Sequence, residues 1–347
     1  MPIVKDESAM PALSVVVPAR DAAATVPRCL DAITSQAAQM PVGVEIIVVD
    51  DCSSDATAEI AARYGVRLVK LAHHLGPSAA RNRGAEIARA PVLFFLDADV
   101  VLAPHALARG AEALTASGAD AVMGSYDDDP DARSTVSRFK NLAHHYFHQR
   151  ARAEAATFWS GCGVVRREVF AASGGFDEEQ HSVEDIELGS RMVAQGARIV
   201  LDPGLQVKHL KRWTMRSLLA TDVLRRAIPW TLLWLEGRRL PDDLNLAADQ
   251  RIAAIAALAL ATSVVASPFM PALWLLAGVL VVLGLWLNRD LYRLLLRKGG
   301  AWLAINGFLL QQLYYLYSIF GFAAGVAIFG ARTFSRRVEA VLRRAGA

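Results

Sequence analysis

Cysteine is scarce in this sequence, and what there is lies apart: Cys29, Cys52 and Cys162 among 347 residues, an odd number with no pair at metal-ligand spacing. That count excludes a disulfide framework and a structural zinc site, and a reducing compartment fits it best. The opening MPIVKDESAM holds no apolar stretch, so no signal peptide is expected and the front of the chain is placed in the cytoplasm. Internal repeats and low-complexity linkers are also missing. Charge itself is absent from two long stretches, the 36 residues Ile252 to Leu287 and the 33 residues Gly299 to Ala331.

The charge that is present is unevenly divided. Up to Gly196, 18 Lys+Arg face 26 Asp+Glu, a net −8, and beyond it 19 face 8, a net +11. A surface that tracks phosphates would carry its basic charge on the folded domain and not beside apolar runs, so no nucleic-acid partner is expected. Basic residues flanking apolar runs suit an anionic membrane surface. A single helix over Ile252 to Leu287 would reach about 54 Å, well beyond a hydrocarbon core of about 30 Å. Ser267-Pro-Phe-Met-Pro271 breaks it, which predicts a tight hairpin of two short spans. The second uncharged run must cross at least once. Thr214 to Leu235 mixes Arg216, Arg225, Arg226, Trp230 and Trp234 with leucines, and reads either as an amphipathic interfacial helix or helix pair or as a soluble packing helix. The basic loop Asn288 to Lys298 and the tail with Arg332, Arg336, Arg337, Arg343 and Arg344 both suit the cytoplasmic side. Three crossings would separate them, so either the last run doubles back or the charge rule is broken here. The expected division is a cytoplasmic domain over 1–212, an interfacial segment over 213–250 and transmembrane helices over 251–347.

Up to about Asp120, short β-branched runs alternate with helical stretches, the pattern of βαβ units and a mainly parallel sheet. Strands are predicted at Leu13 to Val17, Glu45 to Val49, Arg67 to Lys70, Val92 to Leu96 and Asp120 to Met123. Helices are predicted from near Pro27, Asp55, Ser78 and Pro104, with Ser54 as the cap of the second and Gly65 and Gly118 as stops. A further helix is expected over Arg133 to Arg152, a glycine-rich strand over Gly161 to Arg166, an acidic helix from near Val183 and a strand at LQVKHL, 205–210.

Four strand ends carry candidate chemistry. Ser14-Val-Val-Val-Pro18-Ala19-Arg20-Asp21 is a strand that stops at proline before a helix, and ligands of open α/β sheets collect beyond such carboxyl ends. Asp50-Asp51 places two carboxylates at the same edge, able to accept from a base or ribose, although Asp and Ser there also cap helices. Gly76-Pro-Ser-Ala-Ala-Arg81 puts a guanidinium near a helix start, where the dipole disfavours it, so an anion or carboxylate partner is expected. Asp97-Ala98-Asp99 follows a wholly apolar strand, and such a pair can reach a hard divalent cation and a ribose together. An acidic turn without a ligand is the alternative.

Taken in order, these pieces closely resemble the family 2 glycosyltransferases of GT-A fold. Ser160-Gly-Cys-Gly163, Gly174-Gly175-Phe176-Asp177 and Glu184-Asp185-Ile-Glu187 extend the resemblance, which covers about Leu13 to Trp213. It implies that Pro18, Ala19, Arg20, Asp51, Arg81 and Asp97 hold a nucleoside diphosphate sugar, that Asp99 ligates Mg²⁺ or Mn²⁺, and that Asp185 is the general base of an inverting transfer in cell-envelope glycan synthesis. The alternative for Glu184 and Asp185 is plain compensation of a helix dipole, worth about 0.3–1 kcal/mol. His209-Leu-Lys211-Arg212-Trp213 stands where processive members carry Gln-x-x-Arg-Trp; His209 in place of Gln points to single transfer, with His209 completing the metal shell. Glu184, Lys211, Arg212 and Trp213 are then expected at the acceptor or the diphosphate, and the acceptor is expected to be lipid-linked or membrane-borne. A basic membrane anchor is the competing account of 209–213. A processive polysaccharide synthase and an inactive membrane scaffold of the same fold are the alternative functions. His144 and His148, at i and i+4, are read as a surface or interface face and not a metal site.

Overall fold

The computed structural model describes residues 10–180, 182–237 and 247–345, and of the last helix it describes side chains as far as Ser335. The charged tail residues beyond that point lie outside the described side chains. The chain divides into two compact units, Met1–Arg212 and Trp213–Ala347.

In the first unit, the β-branched runs form β1 (Leu13–Ala19), β2 (Val44–Asp50), β3 (Arg67–Lys70), β4 (Val92–Leu96), β5 (Val100–Leu102), β6 (Ala121–Tyr126), β7 (Glu154–Ala155), β8 (Cys162–Arg166) and β9 (Ile199–His209). They make one sheet in the order β3-β2-β1-β4-β8-β6-β9-β5, with β7 paired to β9. The expected parallel arrangement holds for β3, β2, β1 and β4. Beyond β4 the sheet is mixed, because β8 inserts antiparallel to both β4 and β6, while β6 and β9 run parallel. The intervening helices are α1 (Val26–Gln39), α2 (Thr57–Ala62), α3 (Pro77–Ile87), α4 (Ala106–Ser117), α5 (Thr135–Arg150), α6 (Arg167–Ala172) and α7 (Glu184–Ala194). Apolar cores fill both faces of the sheet, one around Val15, Leu30, Phe94 and Leu107 and the other around Val16, Phe95, Phe158 and Leu188. Two-sided burial is what wholly apolar strands such as Val92–Leu96 require.

Several local expectations shift. Ser54 does not cap α2: its N–H and hydroxyl both donate to Asp21 Oδ1, at 2.8 and 2.9 Å, while Asp55 accepts from the N–H of Thr57. The β9 strand begins six residues before the predicted one and runs through Asp202-Pro203-Gly204, a triplet that reads as a turn; a register irregularity between Met123 and Ser125 of β6 accommodates it.

The second unit is helical. Its first segment is α8 (Met215–Leu219), a π-helical stretch over Ala220–Ala227 and α9 (Ile228–Leu235). The predicted hairpin forms as α10 (Ala248–Ala266) and α11 (Leu273–Leu287), and α12 (Arg289–Ala345) follows with a break at Gly300. Beyond Gly300 the helix is continuous, so the last uncharged run does not double back. Gly321 and Gly325 let α12 close on the first segment: a methyl at Gly321 would meet Ala227 Cβ at 2.5 Å, and one at Gly325 would meet Thr231 Cβ at 2.7 Å. The hydroxyl of Tyr315 lies within hydrogen-bond reach of Gln250 Oε1 (2.9 Å) and Asn288 Oδ1 (3.0 Å), and all three side chains are buried. By length and composition, α10 and residues 289–335 of α12 could each cross a membrane.

Candidate active site

The candidate residues sit at the carboxyl ends of β1, β2, β4 and β9 and at the start of α7. Pro18 and Ala19 end β1, the first half-buried and the second buried, and Arg20 follows, exposed. The turn is fastened to the next strand's loop, since Asp21 N–H donates to Ser53 Oγ at 3.0 Å and Asp51 N–H to Ala19 O at 2.8 Å. The hydrogen bonds from Ser54 hold the Asp21 carboxyl below its ordinary range. Asp51 is buried, and its carboxylate accepts from the N–H of Leu75 at 2.8 Å, the N–H of Gly76 at 2.9 Å and His74 Nδ1 at 2.7 Å. These contacts fix the loop that enters α3, and Gly76 meets the geometry with φ of +97°.

Arg81, on the first turns of α3, has the carboxylate partners its position demands. Its Nη2 donates to Asp97 Oδ1 at 2.7 Å and its Nη1 to Glu184 Oε1 at 3.0 Å, with the guanidinium 5.4 Å from the Phe176 ring centre. Burial disfavours its charge, but Asp97, Glu184 and Asp185 more than compensate and push its pKa up. Arg81 thus ties the end of β4 to the start of α7, where its partner Glu184 lies 103 residues further along the chain. Val183, just before α7, adopts φ of +59°, an uncommon conformation for a β-branched residue and one that costs about 1–3 kcal/mol. Asp185 is half-buried and its Oδ1 accepts from the N–H of Ile186.

Asp99 lies in the β4–β5 turn and His209 ends β9. The antiparallel pairing of Val100 with His209, and a hydrogen bond from Leu210 N–H to Asp99 O at 2.8 Å, bring them together. His209 Nε2 is 3.4 Å from Asp99 Oδ2, and its Nδ1 is 3.2 Å from Asn141 Oδ1. Burial raises the Asp99 pKa, but the hydrogen bond and charge of His209, with help from Lys211, bring it below the usual range. Lys211 is half-buried and Arg212 exposed; Trp213 is buried and belongs to the second unit.

Around His209 is a group that sequence reasoning missed. Tyr126 stacks on His209 (centroids 4.7 Å apart), on His144 (5.4 Å) and on His148 (5.8 Å), and its ring lies 4.6 Å from that of Trp159. His144 and His148, expected on a surface or interface face, are half-buried and stack on Tyr126 of β6; their spacing was visible, but the side of α5 that packs on β6 was not. Among the described residues no group of three His, Cys, Asp or Glu side chains forms a ready cation cage. Asp99 and His209 do supply a hard oxygen and an imidazole nitrogen at one point, which fits a cation whose other positions are taken by water and a diphosphate. A cavity of about 1160 Å³ between α3 and α6 includes none of Asp97, Asp99, Asp185 or His209 in its lining. Position at the strand ends, and not cavity size, therefore identifies the site.

Residues 14–174 match the family model described as Glycosyl transferase family 2. The succinoglycan biosynthesis protein ExoO of Rhizobium meliloti is 40% identical over 228 residues, which cover 61% of this chain and 65% of that protein. Glycosyltransferase AglE of Haloferax volcanii is 35% identical over 146 residues, 39% of this chain and 47% of that protein. The chain thus spans less than two thirds of the length of these relatives. The mannosyltransferase PcManGT of Pyrobaculum calidifontis, solved with GDP-Man and Mn²⁺, shares the fold at a TM-score of 0.53 and 18% identity, over 91% of this chain and 88% of that one. With the order of its strand-end motifs and its mixed sheet, residues 14–174 of this chain match the family 2 glycosyltransferases, on a fold of GT-A type.

Proposed function

We propose that the chain is a metal-dependent inverting glycosyltransferase that moves a single sugar from a nucleoside diphosphate sugar to a lipid-linked or membrane-borne acceptor. One observation carries the reading: acidic groups from two distant stretches meet at one sheet edge, with Arg81 bridging Asp97 to Glu184 and Asp99 lying against His209. In this reading Pro18, Ala19 and Arg20 border the nucleoside. Asp51 shapes its pocket through the loop at 74–76, and Asp97 faces the ribose while Arg81 holds it in place. Asp185 takes the proton from the acceptor hydroxyl as that oxygen bonds to the anomeric carbon and the bond from that carbon to the diphosphate oxygen breaks. Asp99 and His209 would hold Mg²⁺ or Mn²⁺, which supplies charge stabilisation to the departing diphosphate. Lys211, Arg212, Glu184 and Trp213 are assigned to the diphosphate and acceptor side.

The membrane acceptor is supported by the second unit. Large apolar side chains stand exposed along its helices, including Ile255 at 69%, Leu275 at 78%, Trp302 at 71% and Ile305 at 62%. Such a surface needs a lipid or protein cover, and we assign it to multi-pass membrane insertion with the first unit on the cytoplasmic side. Purified chain is incubated with a panel of nucleoside diphosphate sugars, lipid extract and Mg²⁺ or Mn²⁺, and product length is read by mass spectrometry. Asp185→Asn should lower turnover about 10²–10⁴-fold while keeping donor binding. No turnover or hydrolysis with any donor, together with undiminished donor binding in Asp99→Ala, would overturn the proposal.

A further inference from the structure

The segment read from sequence as a basic loop is helical. It forms the first turns of α12, from Arg289 to Gly299, ahead of the break at Gly300, where φ is +69° and ψ −173°. Tyr292 and Phe308 lie eight residues to either side of that glycine, and a straight helix would set them about 24 Å apart. Their rings are 5.8 Å apart, so the chain turns back at Gly300 and lays the short helix against the long one. The short helix buries Leu291, Tyr292, Leu294 and Leu295. It turns Arg289, Arg293 and Arg297, at i, i+4 and i+8, to the outside as one stripe.

Like charges at this spacing repel. Arg297 stands in the last turn, where the dipole favours a cation, but Arg289 opens the helix, where it does not. Arg81 answers the same misfit at the start of α3 with two carboxylates. Among the described residues, Arg289 and Arg297 have no carboxylate within 4 Å, and Arg293 has Asp290 alone, at 3.0 Å and itself 46% exposed. From Arg289 to Lys298, four cations stand against one carboxylate, a net +3. The balancing anion therefore lies outside the chain, and the neighbouring side chains indicate its kind. Leu296, on the same face, is 52% exposed, and Trp286, whose ring centre is 5.5 Å from the Arg289 guanidinium, is 60% exposed. Trp302, just past the break, is 71% exposed. A bilayer offers phosphates to such guanidiniums and a headgroup boundary to such indoles, whereas a water-facing partner would leave the apolar surface bare.

We propose that Arg289, Arg293 and Arg297 form a docking face for the phosphate groups of anionic phospholipids, set at the headgroup level of the bilayer by the fold-back at Gly300. The inference rests on the membrane insertion of the second unit proposed above. Full-length chain in neutral detergent is titrated with phosphatidylglycerol or with phosphatidylcholine, and bound lipid is counted by native mass spectrometry. Phosphatidylglycerol should bind about 100-fold more tightly, at about 5-fold per arginine. Arg293→Gln should therefore cost about 5-fold, and Arg289→Gln, Arg293→Gln and Arg297→Gln together should abolish the preference without moving the melting temperature. The three corresponding Arg→Lys changes should keep most of it, because the attraction is to charge. Arg216→Gln with Arg225→Gln, in the first segment of the same unit, should leave it unchanged. An equal loss from that pair overturns the proposal, as does tighter binding of a single-stranded oligonucleotide than of phosphatidylglycerol. A chain that stays monodisperse without detergent or lipid defeats the membrane reading and this role with it. A chain that needs detergent but binds both lipids equally defeats this inference alone.

Discussion

Replacing Arg81 by methionine tests how the two halves of the site are joined. The side chain is 6% exposed and hydrogen-bonds Asp97 and Glu184, themselves 33% and 14% exposed. Methionine keeps much of the volume but leaves two carboxylates without their cation, a change that costs about 3–5 kcal/mol for a fully buried pair. Water reaches Asp97, so the lower end applies, about 3 kcal/mol. For a unit of this size, each kcal/mol moves the melting temperature by about 2–4 °C, so Arg81→Met should melt about 6–12 °C lower. Lysine can satisfy one partner at a time and should lose less than half of that. Adding Glu184→Gln to Arg81→Met should recover part of the loss, since one stranded charge is removed. The assay is a thermal melt of detergent-solubilised chain, with the first unit's transition followed by hydrogen exchange in β1 and β4 peptides. An Arg81→Met melt within 2 °C of wild type, or a double variant less stable than the single, would refute the reasoning.

Three further outcomes follow from the same geometry. Mn²⁺ at a hundred times its Kd should stabilise the first unit by about 2.7 kcal/mol, and Asp99→Ala should abolish the shift in a melting assay. A methyl at Gly189 of α7 would strike the backbone of Thr157 and Phe158, so Gly189→Ala should cost about 3 kcal/mol and sharply reduce folded yield, as seen by size-exclusion chromatography. Glu45 is buried, which raises its pKa, but hydrogen bonds from Arg89 and Ser14 more than offset this and hold it below the ordinary 4.5. The unfolded chain therefore takes up the proton first on acidification: stability is full above about pH 4.5 and falls as pH drops through the folded value, and Glu45→Gln should flatten that slope in melts recorded across pH.

Much of this site was legible because strand ends advertise themselves. An apolar run followed at once by Asp97-Ala98-Asp99 fixes both the strand and the carboxylates beyond it, and Arg81 at a helix start announced carboxylate partners that the structure supplies in Asp97 and Glu184. What stayed hidden depends on pairing and rotation, which composition does not encode. Asp202-Pro203-Gly204 reads as a turn, yet the parallel partner β6 absorbs it into β9. Asp51 was expected at the nucleoside, but which of its neighbours would claim its oxygens follows from the path of the chain at 74–76. His144 and His148 lie against β6 because Tyr126 offers them a ring face.

The buried triad of Gln250, Asn288 and Tyr315 bears on how the hairpin sits against the last helix. Apolar helices can slide past one another at little cost, since one leucine contact substitutes for the next. A slip of one turn here would move the tyrosine hydroxyl about 5.4 Å from both amides and leave three polar groups to find partners among hydrocarbon side chains. The triad therefore acts as an index mark that selects one alignment of α10, α11 and α12 from several of similar packing.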